Sequence, residues 1–220
     1  MYQPIQWKND HILLLDQTRL PGEEVYIECR DLEKVADAIK RLAVRGAPAL
    51  GVVAAMAVAL EARNIQSSST EEFFQELQKL CDRILSTRPT AVNMAWALSR
   101  VQETLKGAHS SDISNLKRLL VQEALAIFQE DIEANQQIGR YGQELVPDSA
   151  TIITICNTGS LATAGYGTAF GVMRSAAEAG KKILVVSCET RPLLQGCRLT
   201  AWELQKTSTN WGCSGLPRQK

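Results

Sequence analysis

Apolar and polar residues alternate over the first thirty positions, a period-two pattern that predicts strand. Ile5 to Trp7 and Ile12 to Leu15 flank the turn pair Asn9-Asp10, and Val25, Ile27 and Cys29 alternate with polar neighbours. The period then lengthens. Asp31 stands at an N-cap position before a run in which Leu32, Val35, Ile39 and Leu42 share one helical face. Past the Arg45-Gly46-Ala47 loop, Ala47 to Leu60 is apolar throughout, with Pro48 suited to a first helical turn. That stretch falls short of the ~20 residues a membrane span needs, so it predicts a buried core helix. Ser69 and Glu72 form a capping-box pattern ahead of Phe73, Leu77, Leu80 and Ile84. Arg88-Pro89 breaks that helix, and Thr90 is placed to cap another that runs to about Gly107. A last long helix is expected from Ile113 to about Gln137, stopping near Gly139 and Gly142. Phe73, Phe74 and Trp96 fall at helical core spacing.

The pattern changes again after Pro147. Residues 151–156, TIITIC, form a continuous β-favouring run expected to be buried on both faces. A small-residue helix from about Leu161 to Ala179, a stop at Gly180 and a second apolar strand from Ile183 to Val186 complete a strand–helix–strand unit with a parallel sheet. A further helix is expected from about Pro192 to Lys206. The chain therefore belongs to the α/β class: a small N-terminal domain of mixed strand and helix over 1–147, then an incomplete parallel-sheet domain over 148–206. Residues 207–220 show neither periodicity and are read as an unrelated tail exposing Trp211 and Cys213. Two parallel strands fall short of the roughly five or six of a doubly wound sheet.

Composition narrows the function. Twenty-four Lys and Arg balance twenty-four Asp and Glu for a net charge of zero, so no basic surplus points to nucleic acid. The six cysteines never approach a C-x-x-C spacing and His11 and His109 are the only histidines, which argues against a metal site and a disulfide framework. The N-terminus lacks the pattern of a signal peptide, and the expectation is a cytoplasmic protein with no membrane association.

Among candidate residues, Cys156 stands at the carboxyl end of the first parallel strand, the edge where open α/β sheets bind ligands. A helix start close behind it would favour anions and a thiolate; a buried cysteine is equally at home as an inert small hydrophobe. In GSLATAGYGTAFG (159–171) the glycines do not make G-x-G-x-x-G. Gly165, Gly167 and Gly171 are expected inside the helix for close packing, which leaves Gly159 and Ser160 as possible anion contacts. Arg45-Gly46-Ala47 and Arg88-Pro89-Thr90 each put an arginine in a loop at a helix start, an arrangement suited to phosphate. Arg191 and Gln195, after the second strand, are expected to face the same cleft. Neither histidine has a partner at catalytic spacing.

Together VRGAPALGV (44–52), RPTAVNMAWAL (88–98), TICNTGSLATAGYGTAFGVMR (154–174) and ETRPLLQGCRLTAWEL (189–204) resemble the methylthioribose-1-phosphate isomerase family, and the resemblance runs from about Ile5 to Lys206. It implies a Rossmann-like second domain, a homodimer for the full-length protein, a small sugar phosphate as ligand, and aldose-to-ketose isomerisation without metal or cofactor. Carried over by motif, Cys156 is catalytic, and Arg45, Gly46, Ala47, Arg88 and Gln195 contact substrate. The chain has Ile155 where members often carry a histidine. The family's acid, an aspartate of an Asp-Asn pair some thirty to forty residues beyond the TAWEL helix, and a later Asn-Lys pair are not reached. The expectation is a C-terminally truncated and inactive isomerase. A ribose-1,5-bisphosphate isomerase, or a non-catalytic regulatory subunit related to translation-initiation exchange factors, are the alternatives; the Cys156-Asn157-Thr158-Gly159 turn favours the isomerases.

Overall fold

Twelve consecutive buried residues, Ala49 to Leu60, place one helix at the centre of the N-terminal half. A computed structural model describes residues 2–108, 110–207 and 212–213, the last pair as backbone. Three short strands, β1 (Ile5–Trp7), β2 (Ile12–Leu15) and β3 (Tyr26–Cys29), form an antiparallel sheet in the order β1-β2-β3. Five helices follow: α1 (Leu32–Lys40), α2 (Ala47–Glu61), α3 (Thr70–Leu85), α4 (Val92–Gly107) and α5 (Ile113–Gly142). Because α2 is apolar on every side, it can be stable in water only when surrounded. It is ringed by α1, α3, α4 and α5, whose buried stripes include Val35, Ile39, Phe73, Leu77, Val101 and Leu120.

Most predicted helix signals act as read. The Asp31 side chain accepts from Lys34 N at 2.7 Å, and Ser69 Oγ accepts from Glu72 N at 3.2 Å. The Glu72 carboxylate reaches back to Ser68 N rather than to Ser69 N. Three expectations for this half need correction. The first helix stops at Lys40, and Leu42 lies beyond it in a left-handed conformation with φ 62°. Ala91, not Thr90, is the N-cap of α4, and it has no side-chain cap. Trp96 is 51% exposed, stacked under the Arg100 guanidinium instead of packed in the core.

The second unit is a parallel sheet of β4 (Ser149–Ile155), β5 (Lys182–Cys188) and a two-residue β6 (Gly212–Cys213), in that order. Residues expected to lie in a structureless tail thus supply a third parallel strand; Trp211 and the Cys213 side chain fall outside the described residues. The sheet is covered on one face by α6 (Ala169–Glu178) and α7 (Ala201–Thr207), where Ile183 and Val185 meet Phe170, Met173, Ala176 and Leu204. TIITIC is therefore not buried on both sides: Thr151, Ile153 and Ile155 are exposed, because β4 has no covering layer on its other face among the described residues. Of the helix expected from Leu161 to about Ala179 only the second half forms, as α6 with Gly171 inside it; the first half is a single 3-10 turn, Ser160–Ala162, then an irregular loop carrying Gly165 and Gly167. The helix expected from Pro192 begins as a π turn at Gly196–Thr200 and continues as α7.

The long α5 serves both units. Its first half packs on α2 through Leu116, Leu120 and Ala124, and its second half packs on α6. The helix ends at Gly142, as expected, and Gly139 inside it also allows close helix approach, since a Cβ there would lie 2.8 Å from Gly171 O. A small joint core of Leu15, Leu20, Leu161, Leu199 and Trp202 seals the units together. Across that joint, Arg198 Nη2 donates to the carbonyls of Gln17 (3.0 Å), Thr18 (3.3 Å) and Leu20 (2.7 Å). Among the described residues, no helix is long and apolar enough to cross a membrane.

Candidate active site

Two helices start at the same place. Gly46, the N-cap of α2, and Ala91, the N-cap of α4, both line a cleft of about 580 Å³, and neither helix has a side-chain cap. Uncapped helix starts present backbone N–H groups and the positive end of the helix dipole. Arg45 directly precedes the first N-cap and Arg88 stands three residues before the second; both line the cleft, with Ala47, Asn93 and Gln195. The sequence therefore named five residues that the fold brings into one cavity: Arg45, Gly46, Ala47, Arg88 and Gln195. Asn93 was not among them. A depression of similar size, about 590 Å³, lies at the opposite, amino edge of β4 and β5 and holds none of these groups.

Arg45 is half-buried. Burial holds its guanidinium below the usual arginine value; the positive charges of Arg198 and Arg88 act the same way, while Cys156 opposes them. Crowded cations at two helix starts are a ready site for a polyanion. Thr190 Oγ1 donates to Gln195 Oε1 at 2.5 Å, which leaves the amide nitrogen of Gln195 as the donor on offer. Arg191, expected in the cleft, is instead exposed and paired with Glu189 at 3.0 Å.

Cys156 follows the last residue of β4 and stands beside the cleft, within electrostatic reach of Arg45. It is half-buried and has φ 66°. The other non-glycine residues with positive φ among those described are Leu42, which lines the cleft, and Leu194, between the cleft residues Leu193 and Gln195. Left-handed conformations of non-glycine residues are uncommon and concentrate where a surrounding structure imposes them, often at active sites.

The helix start expected immediately behind Cys156 lies at Ala169, where the N–H groups of Thr168 and Phe170 both donate to Thr158 O. Gly159 and Ser160, expected as anion contacts, face a carboxylate instead. Glu203, with no exposed surface, lies against the Cα of Gly159, so that a Cβ there would meet its carboxylate at 2.2–2.4 Å. Glu203 Oε1 accepts from Asn157 Nδ2 (2.7 Å); Oε2 accepts from Tyr2 OH (2.5 Å), Ser160 Oγ (2.6 Å) and Leu161 N (3.3 Å). Burial raises the Glu203 carboxyl above the usual range, against the opposing effect of these donors. Tyr2 is raised too, first by burial and then by the charge of Glu203. Tyr2 OH and Ser160 Oγ are also 2.7 Å apart. Sequence reasoning passed over Glu203 as part of a helix, although its i−4 and i−3 neighbours, Leu199 and Thr200, are buried and mark the same face. Among the described residues, none lining the cleft carries a carboxyl group, and no group of three His, Cys, Asp or Glu is placed to hold a metal ion.

The model of the initiation factor 2 subunit family matches residues 43–211. A methylthioribose-1-phosphate isomerase of Geobacter sulfurreducens is 52% identical over 205 residues, 93% of this chain and 59% of that protein. The crystal structure of 5-methylthioribose 1-phosphate isomerase from Pyrococcus horikoshii OT3 superposes with a TM-score of 0.90 at 39% identity, covering 98% of this chain and 60% of that one. The structure of translation initiation factor eIF-2B subunit delta from A. fulgidus gives a TM-score of 0.86 at 44% identity, covering 98% and 62%. The chain thus spans about three-fifths of the length of these relatives.

Proposed function

The chain belongs to the initiation factor 2 subunit family, and from that premise we propose that its cleft binds methylthioribose 1-phosphate for isomerisation from aldose to ketose. The observation that carries the reading is the convergence of Arg45 and Arg88 on two uncapped helix starts in one cleft beside Cys156. The phosphate sits between the two guanidiniums and the N–H groups of α2 and α4, which use it as a handle for orienting the sugar. Gln195 donates to a sugar hydroxyl. With C1 phosphorylated the sugar is locked as a ring. The C1–ring oxygen bond must break, that oxygen must gain a proton, and a hydrogen must move from C2 to C1, leaving a C2 carbonyl. Cys156 serves as the base at C2 or as a stabiliser of the charge that develops there. The acid for the ring oxygen is the aspartate that the family resemblance implies further along the relatives' chains; Glu203, enclosed by protein donors, is not it. The remaining assignments, two domains meeting at about residue 148, a homodimer and a cytoplasmic location, belong to the same proposal.

Calorimetric titration of the chain with methylthioribose 1-phosphate tests the reading. Arg45→Ala and Arg88→Ala should each weaken binding by about 10- to 100-fold, the loss of a charged hydrogen bond worth ~1.5–3 kcal/mol. Inorganic phosphate should compete, and bound sugar phosphate should slow alkylation of Cys156 by iodoacetamide. Binding indifferent to both arginines would overturn the assignment of the cleft. Ribose 1,5-bisphosphate binding more tightly than methylthioribose 1-phosphate would transfer the site to the other isomerase.

A further inference from the structure

Cys156 adopts a left-handed conformation with no glycine to ease it, and the surroundings show what imposes it. Thr200 Oγ1 donates to Cys156 O at 2.6 Å. The next residue is held from the same helix: Asn157 Nδ2 donates to Glu203 Oε1 at 2.7 Å and lies 3.4 Å from Thr200 Oγ1. Thr200 and Glu203 are both fully buried, three residues apart, where the π turn passes into α7. Glu203 is itself anchored by Tyr2, Ser160 and Leu161, and Thr158 O is tied down by Thr168 and Phe170. The Cys156 carbonyl, the Asn157 amide nitrogen and the Thr158 carbonyl are therefore each held from outside the strand. A π turn inside a helix often marks a functional site, since its wider spacing shifts side chains that a regular helix would aim elsewhere.

We infer that Thr200 and Glu203 are positioning residues, which hold the Cys156-Asn157 peptide in its left-handed turn and so set where the Cys156 thiol stands beside the cleft. This rests on the assignment of Cys156 to the sugar-phosphate reaction for its purpose, though not for its geometry. Neither residue lines the cleft, so neither is expected to touch the ligand. Their polar groups matter through what they accept and donate. A serine at 200 keeps the donor to Cys156 O, and a glutamine at 203 keeps the size of the side chain and an acceptor for Asn157. Valine and leucine keep the volume and lose those bonds.

The test compares Thr200→Val and Glu203→Leu with Thr200→Ser and Glu203→Gln in the whole chain, without substrate. Two measurements are made: NMR of selectively labelled cysteine, in which the HN–Hα coupling and the Cα and Cβ shifts report φ at Cys156, and the iodoacetamide rate at Cys156 relative to Cys197 in the same sample. The valine and leucine variants should move the Cys156 signals out of the left-handed range and raise the rate ratio by roughly fivefold or more, the equivalent of one net hydrogen bond. The serine and glutamine variants should stay within about twofold of wild type on that scale. If Glu203→Leu does not fold, Thr200→Val alone decides, as it removes one hydroxyl at constant shape. Unchanged Cys156 signals and rate in Thr200→Val would overturn the inference. So would an equal acceleration at Cys188 and Cys197, which signals general loosening. A chain that passes this test yet binds no sugar phosphate would keep the positioning role and lose the proposed function; the reverse result would do the opposite.

Discussion

Gly46 offers the sharpest test of how the cleft is assembled. Its φ of 97° lies in the region that side chains disfavour, and a Cβ there would meet the backbone of Ala162 at 2.4 Å (O), 2.5 Å (Cα) and 2.7 Å (C). Backbone cannot rotate away as a side-chain tip can, so Gly46→Ala must either separate the Arg45 loop from the Ser160–Ala162 turn or distort both. The conformational cost alone is about 1–2 kcal/mol, and overpacking adds about 1–3 kcal/mol, for a total of roughly 2–5 kcal/mol. For a chain of this size that corresponds to a fall in Tm of about 5–20 °C. Gly180 supplies the control. It has φ 85° and nothing within 4 Å of its would-be Cβ, so Gly180→Ala carries the conformational cost without the clash. Any gain from a stiffer unfolded chain is common to both variants and cancels in their difference. Calorimetry of the pair should place Gly46→Ala below Gly180→Ala by about 1–3 kcal/mol, with weaker phosphate binding only in Gly46→Ala. Equal melting temperatures would refute the claim that this glycine exists for the contact between the two units.

Two further outcomes are expected. Asp16 is buried, which alone would raise its carboxyl, but bonds from the Thr18 hydroxyl, Arg41 and Thr18 N outweigh burial and hold it below the usual range. Its folded value lies under the unfolded ~3.9, so its contribution is present above the unfolded value and is lost as pH falls from about 5 through the folded value. Urea midpoints of wild type and Asp16→Asn should accordingly converge between neutral pH and pH 3, and parallel curves would contradict this. Arg198→Ala removes the donor shared by three carbonyls of the Gln17–Leu20 turn. It should cost about 1.5–3 kcal/mol in urea unfolding, whereas a loss under about 0.5 kcal/mol would mark Arg198 as an ordinary surface residue.

What the sequence determined by itself was local or repeated. The helix α2 could be read from fourteen unbroken apolar residues, because such a segment has no stable place except a protein interior. The caps at Asp31 and Ser69 act over three residues, and propensity reaches that far. The cleft residues Arg45, Arg88 and Gln195 were legible because each lies in a recognisable motif at a loop-to-helix junction. Only the tertiary structure decided the rest. The run from Leu161 reads as helix by composition, yet Asp131 on α5 takes the N–H of Ala164 at 2.7 Å and Thr158 takes that of Thr168, so the backbone's hydrogen bonds are satisfied outside a helix. Ile153 and Ile155 match a doubly buried strand, but burial depends on what lies across the sheet, which a strand's own residues do not encode. Arg191 and Gln195, four residues apart, were read alike and part company because the intervening chain turns through the left-handed Leu194. Glu203 was hidden most completely. Its identity as a buried anchor with a raised carboxyl depends on Tyr2, separated from it by 201 positions, and on a turn 42 to 46 positions earlier. A carboxyl's protonation is set by the dielectric and the donors around it, and those are supplied by segments that meet only once the chain has folded.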